Sequence, residues 1–279
     1  MNLPKKYLEK VVRAALQEDA ASMDVTTQTL VPLGRRTQAY LVAKEPLVLC
    51  GMDLFKAAMR LRDSRIRVKS HFKEGVFLKK SAVIAEITGP ARGILSGERV
   101  GLNFLQHLSG IATLTRRYVA RLAGTKAVLL DTRKTTPGLR LLERYAVKTG
   151  GGQNHRMDLQ SAVMVKDNHR HLLASLSEVM ERLEKCPEGI PIIVEVESLE
   201  QLEEAYRLGA RYIQLDNMSL AEMKWAVRTV GKKCRLEATG GITLKNIRQV
   251  AKTGVGFISV GAITHSAPAV DISLELVEK

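Results

Sequence analysis

The chain has 279 residues, enough for one large domain or two modest ones, and carries 43 Lys+Arg against 29 Asp+Glu, a formal net charge of +14. Hydrophobic residues at 45% and charged residues at 26% are ordinary for a globular protein, and no window approaches the roughly 18 apolar residues of a membrane span. The basic excess points to an anionic partner, but aromatics at 4% and basic residues scattered in runs of two at most argue against nucleic acid.

The opening MNLPKKYLEK lacks the long apolar stretch of a secretory signal, so a cytoplasmic protein is expected. In chain order, Leu8, Val11, Val12, Ala15 and Leu16 recur at helical spacing behind Pro4. Strand-like stretches follow at Thr37–Ala43, Leu47–Cys50 and Ile66–Lys69, with a helix from about Met52 to Leu61 between the last two. Residues 75–94 read as short strands with turns, and 96–123 as helix broken at Gly110. Cys50, Cys186 and Cys234 are odd in number and far apart, with no CxxC pair, which argues against a disulfide framework or a zinc site.

A regular rhythm then begins. The apolar runs Val128–Leu130, Ala162–Val165, Ile192–Val196, Tyr212–Leu215, Arg235–Ala238 and Phe257–Val260 alternate with amphipathic helical stretches. Ser198 with Gln201 and Ser219 with Glu222 have capping-box spacing, and Gly209, Gly231 and Gly254 stand where helices should stop. Repeated strand–helix units imply a parallel sheet, and their number suggests a barrel. A doubly wound sheet competes, but it usually carries a Gly-rich turn after its first strand, and none is present.

Charged residues stand at or just beyond the end of each run. Asp131, Arg133 and Lys134 follow the first; Lys166, Asp167 and His169 follow the second. Glu195 and Glu197 lie in or beside the third, Asp216 ends the fourth, and Glu237 runs into Thr239-Gly240-Gly241. Gly261 and His265 come after the last. In a βα barrel these ends share one face, where active sites are built. Guanidinium and ammonium groups gathered there would repel one another unless a polyanion sat among them. Gly150-Gly151-Gly152 lets backbone approach a ligand before His155 and Arg156, and Gly240-Gly241 opens onto a helix expected near Thr243, a setting that favours phosphate.

These residues carry a resemblance. DTRKTTPGLRLLERYAVKTGGGQNHR followed by VKDNH, with GERVGLNFLQHLSGIAT, LDNM, EATGG, ISVGAITHS and DVTTQTL, resembles the quinolinate phosphoribosyltransferase family (nicotinate-nucleotide pyrophosphorylase, carboxylating) from about Asp24 to the C-terminus. The resemblance implies an α/β fold: an N-terminal α/β sandwich over 1–109 completed by the tail 267–279, and an incomplete, about six-stranded α/β barrel over 110–266. It implies a pentosyltransferase of NAD biosynthesis that joins quinolinate to phosphoribosyl pyrophosphate with loss of CO2, uses Mg2+, and works as a homodimer with shared active sites.

Carried over by motif, Arg133, His155, Arg156 and Lys166 would hold the quinolinate carboxylates, with Arg99 entering from the neighbouring subunit. Lys134 would reach the phosphoribosyl donor, and Lys134 and Lys166 would serve the chemistry beside Glu195 and Asp216. Those two carboxylates would address the ribose hydroxyls and the metal. Thr239, Gly240, Gly241 and Gly261 would cradle the 5-phosphate, with His265 nearby. Glu195 and Glu197 point the same way along a strand; counting back from Ser198-Leu199 matches the family carboxylate to Glu195. One departure stands out: Asp158-Leu159-Gln160-Ser161 occupies the place of the family's Gly-Leu-x-Asp, so a charge has moved within a loop beside Arg156. Thr239 replaces the usual Ser and keeps the hydroxyl.

Other readings give distinct expectations. A paralogue of the same fold would take nicotinate or another acid. A Schiff-base aldolase is suggested by Lys166 at a strand end, and borohydride trapping with a carbonyl substrate would reveal it. His71, His107 and His171 read as ordinary surface or core histidines.

Overall fold

The computed structural model describes residues 3–173 and 175–277, and the chain divides into two compact units. One comprises residues 1–116, 138–151 and 266–279; the other comprises 117–137 and 152–265. The division falls inside the helix Ala91–Arg121, and it groups both the helix Arg140–Gly150 and the C-terminal tail with the N-terminal residues.

In the first unit the strands are β1 (Arg36–Ala43), β2 (Leu47–Val48), β3 (Arg67–Ser70), β4 (Phe77–Leu78) and β5 (Val83–Pro90). β1 alternates in burial, so Ala39, Leu41 and Ala43 face a core shared with Phe55, Met59, Ile84, Ile87 and Leu105. The C-terminal strand Ile272–Leu276 pairs antiparallel with β1, Ala43 opposite Ile272 and Ala39 opposite Leu276. It thereby forms one edge of an antiparallel sheet ordered tail strand, β1, β5, β3. His107 Nε2 pairs with the buried Glu143 carboxylate at 3.0 Å, so it serves this unit's interior rather than a surface.

The expected break at Gly110 does not occur: Ala91–Arg121 is one continuous helix. Glycine is there for a tertiary reason. A Cβ at Gly110 would stand 2.1 Å from the carbonyl oxygen of Pro268, so only a bare α-carbon lets the tail's backbone pass this close.

The second unit holds β6 (Val128–Leu130), β7 (Val163–Val165), β8 (Ile192–Val196), β9 (Tyr212–Asp216), β10 (Arg235–Thr239) and β11 (Phe257–Ser259). They form a wholly parallel sheet in the order β6-β11-β10-β9-β8-β7, with helices between them. The outer edge of β6 is met by Gln153, whose N–H donates to Leu129 O at 2.8 Å and whose carbonyl accepts from Asp131 N at 3.1 Å. β-branched and leucine side chains dominate these strands, as burial on both faces requires.

The connecting helices start and end largely as the sequence suggests, with three refinements. Ser219 and Glu222 form a reciprocal capping box. At Ser198 only half of the box forms, because the Gln201 amide oxygen accepts from Glu197 N at 2.9 Å instead. Gly209 and Gly254 adopt left-handed φ of 97° and 98°, whereas Gly231 stays right-handed and is required by the nearness of Val227 O. The helix after Gly240-Gly241 begins at Ile247, not near Thr243; an Asn246 side chain first closes a turn onto Thr243 N and Gly241 O.

Candidate active site

Parallel strands deliver their C-terminal ends to one face, and strand register decides which side chains meet there. Glu195, Gln214 and Glu237 are successive partners across β8, β9 and β10, and Asp216 lies opposite Thr239 one step further along. Side chains two residues apart share a face, so Gln214 with Asp216 and Glu237 with Thr239 all point into the sheet's inner side.

A cleft of about 430 Å³ opens at these ends, wholly within the second unit. Its walls bring together ten of the residues singled out from sequence: Arg133, Lys134, His155, Arg156, Lys166, Glu195, Asp216, Thr239, Gly240 and Gly241. Lys166 Nζ donates to Glu195 Oε2 at 2.9 Å, and Glu195 is only 7% exposed. With one member shielded from water, the pair is screened less by salt than an exposed one. Glu197, by contrast, is exposed and outside the cleft walls.

The Arg156 guanidinium is anchored through Nη1 to Ala162 O at 2.8 Å. Burial first, and then the nearby Arg133 charge, hold its pKa below the usual arginine value; Asp158 acts in the opposite sense. Two guanidinium groups crowded this way repel each other, and an anion between them would relieve that repulsion. Asp216 shifts upward from the ordinary carboxylate value, chiefly through burial and also through Glu197 and Asp167, while Lys166 and Lys134 oppose the shift.

The displaced charge at Asp158 has a defined place. Its Oδ1 accepts from Gln160 N, Ser161 N and the Ser161 hydroxyl at 3.1, 3.0 and 2.6 Å, closing the 158–161 turn on itself.

Two predicted residues stand beside the cleft rather than on its wall. Gly261 packs against the Lys134 stem and His265: a Cβ there would lie 3.1 Å from Lys134 Cδ and 3.2 Å from His265 Nε2. The Thr264 hydroxyl ties this turn to Lys134 O at 2.7 Å. Arg99 is exposed on the helix Ala91–Arg121, in the other unit, and is not among the residues lining the cleft.

Sequence reasoning passed over Thr132, Met164, Gln214, Asn217 and Ser259, which also line the cleft. Strand alternation was the available signal for Gln214 and Ser259, polar residues at inward positions of otherwise apolar strands. Asn217 is marked by a left-handed φ of 52°, which sequence does not announce. Two buried carboxylates support the walls without lining them. Asp131, fully buried, accepts from Asn154 Nδ2 at 2.6 Å and from His155 N at 2.7 Å. Glu237, also fully buried, accepts from Tyr212, Gln214, Ser259 and His155.

A family model described as quinolinate phosphoribosyl transferase, C-terminal domain, matches residues 111–275, and its N-terminal-domain counterpart matches residues 24–109. A probable nicotinate-nucleotide pyrophosphorylase (carboxylating) of Bacillus subtilis (strain 168) is 40% identical over 274 residues, spanning 96% of this chain and 93% of that protein. The nicotinate-nucleotide pyrophosphorylase (carboxylating) of Mycobacterium leprae (strain TN) is 38% identical, spanning 95% of each. The structure of the nicotinate-nucleotide pyrophosphorylase from Francisella tularensis matches with a TM-score of 0.94 at 37% identity, over 99% of this chain and 98% of that one.

Proposed function

Since the chain belongs to the quinolinate phosphoribosyltransferase family, we propose that the cleft in its parallel-sheet unit is where quinolinate and phosphoribosyl pyrophosphate meet. The enzyme transfers the phosphoribosyl group to quinolinate with decarboxylation, giving nicotinate mononucleotide, pyrophosphate and CO2 in NAD biosynthesis. One observation carries the placement: Arg133, Lys134, Arg156 and Lys166 face Glu195 and Asp216 across a single cleft.

Each group has a chemical task in this reading. Arg133 and Arg156, with Lys166, bind the two quinolinate carboxylates, since forked guanidinium donors match carboxylate geometry. Holding the pyridine nitrogen against ribose C1 converts a bimolecular attack into a positioned one. Lys134 faces the donor, and Thr239-Gly240-Gly241 gives the 5-phosphate a hydroxyl and bare backbone. As the bond from C1 to pyrophosphate breaks, positive charge develops at C1, and Glu195 and Asp216 stabilise it electrostatically. The ring nitrogen then bonds to C1, the 2-carboxylate leaves as CO2, and a proton replaces it at ring C2.

Mg2+ suits this donor set, because hard oxygen ligands hold it and it commonly binds through one or two carboxylates plus substrate phosphates. Glu195 and Asp216 would hold it: burial is the main cause of the upward shift of Asp216, with Glu197 and Asp167 adding to it, and a bound cation would favour its charged form. When bound with the donor, it would take up charge on the departing pyrophosphate.

A homodimer completes the proposal, with Arg99 of each subunit acting in the other's cleft. We assign the activity to the cytoplasm. Among the described residues no helix is long and apolar enough to cross a membrane. The aldolase alternative is disfavoured by the engagement of Lys166 with Glu195 in a cleft crowded by guanidinium groups.

Carboxyl-labelled quinolinate supplied with phosphoribosyl pyrophosphate and Mg2+ tests the assignment. CO2 and pyrophosphate should appear in equal amounts. Turnover of nicotinate, with no CO2 from quinolinate, would replace this reading with the paralogue.

A further inference from the structure

We propose that Glu237 is a positioning residue for quinolinate binding, and that His155 acts through it as a fixed strut rather than as a cationic ligand of the substrate. The inference rests on the reading of the cleft given above. Its observation is that three cleft-lining side chains, His155, Gln214 and Ser259, all donate to this one fully buried carboxylate. Tyr212 supplies a fourth donor from the start of β9.

A carboxylate offers about four lone-pair directions, so these donors saturate it. Burial raises the Glu237 pKa, but the hydrogen bonds it accepts from His155, Ser259 and Tyr212 act the other way, and the group stands below the ordinary carboxylate value. The carboxylate is therefore the ionised acceptor of the cluster.

The histidine tautomer follows from its neighbours. The Arg156 backbone N–H donates to His155 Nδ1 at 2.7 Å, so Nδ1 is an acceptor and carries no proton. The ring proton is then on Nε2, donated to Glu237 Oε2 over 3.2 Å. A second proton on Nδ1 would set donor against donor at Arg156 N. Both ring nitrogens are thus engaged within the protein, although the ring itself lines the cleft.

What the strut positions is Arg156. The backbone of His155 is held from one side by Asp131, through His155 N at 2.7 Å, and the ring is held from the other by Glu237. The N–H of Arg156 closes onto that ring, so the residue carrying the guanidinium begins from a point fixed by two buried carboxylates. Releasing the ring frees the start of Arg156. Small displacements of a binding group are costly even when the group itself is unchanged.

Glu237→Gln keeps the shape and removes the pattern. An amide presents one acceptor oxygen and an NH2 donor, so at least one of the four donors meets another donor. The quinolinate KM should rise about tenfold or more, the loss expected when a charge-assisted hydrogen bond is broken, while the KM for phosphoribosyl pyrophosphate changes less than about twofold. A purely structural role would move both KM values together or neither, and either result would overturn the proposal.

A second measurement does not depend on Glu237→Gln. Nitrogen-15 spectra of histidine side chains in the wild-type protein, with the His155 signals identified by their loss in His155→Asn, should show the Nε2–H tautomer at neutral pH. An Nδ1–H tautomer, or protons on both nitrogens, would refute the strut even if Glu237→Gln fails to fold. Failure of the functional reading is separately visible, because the wild-type enzyme would then release no CO2 from quinolinate.

Discussion

Replacing Gly240 with alanine separates backbone strain from displacement of a functional carboxylate. Gly240 has a left-handed φ of 83°, and a Cβ there would fall 2.2 Å from Asn217 Oδ1 and 2.8 Å from Asp216 Oδ1. Gly209 is a matched control: its φ is 97°, it ends a helix remote from the cleft walls, and a Cβ would meet nothing within 4 Å. Left-handed backbone costs an alanine about 1–2 kcal/mol at either position. For a chain of this size that corresponds to a fall in Tm of about 2–8 °C in both variants. The atoms crowding Gly240 are side-chain ends, which can rotate away, so the added penalty falls on the site more than on the fold. Asp216 must leave its place, and a displacement near 1 Å in a catalytic group can cost about 10²-fold in rate. Gly240→Ala should therefore show a turnover loss of that order at saturating substrates, whereas Gly209→Ala turns over as wild type below its transition. Calorimetry paired with a CO2-release assay measures both quantities. Equal turnover in the two variants would refute the assignment of Asp216 to the reacting centre.

Further predictions bear on the remaining walls. Arg133→Ala should weaken quinolinate binding by roughly 1.5–3 kcal/mol, the value of a hydrogen bond to a charged group, with a much smaller effect on the phosphoribosyl donor; titration calorimetry showing equal losses would displace the carboxylate subsite. Glu195→Gln and Asp216→Asn should leave quinolinate affinity nearly intact and lower turnover by about 10²–10³-fold each, by analogy with deletion of groups that stabilise transition-state charge. Glu197→Gln should be nearly silent, since that side chain is exposed and off the cleft wall; the reverse pattern would shift the catalytic register by one step. Arg99→Ala and Lys166→Ala should each be nearly inactive alone, yet an equal mixture of exchanged subunits should recover about a quarter of wild-type activity if Arg99 acts in trans across a two-fold. No recovery, with exchange verified independently, would confine Arg99 to its own subunit.

Much of this architecture is legible in one dimension, and its failures share a physical cause. Apolar runs separated by amphipathic stretches announce the parallel strands, because burial on both faces removes polar residues from them. Charges at the ends of those runs announce the cleft. Gly110 was misread because a glycine inside a helical pattern looks like a break, while its reason lies 158 residues away at the Pro268 carbonyl. Nothing in local periodicity encodes that contact. The His155 ring orientation is equally hidden, since it depends on Glu237 two strands beyond the sheet edge at β6.

Glu237 itself stands out in the sequence as a charge near a strand end, and the reason it supports the cleft instead of lining it is geometric. Glu195, Gln214 and Glu237 occupy one row of strand partners, yet only the first two reach the cleft wall. Strands that curve toward a barrel tilt against its axis, so a row of partners runs obliquely and changes depth from strand to strand. The wall residues trace that slope. On β7 the cleft is reached at Met164 and just past the strand at Lys166; on β8, at Glu195; on β9, at Gln214 and Asp216. On β10 it is reached only at Thr239, two residues beyond Glu237, and on β11 at Ser259, two beyond the Glu237 partner Phe257. The same row that brings Glu195 to the cleft wall has sunk below the floor by the time it reaches Glu237. A carboxylate at that depth does not reach the cleft, but it holds the side chains above it that do.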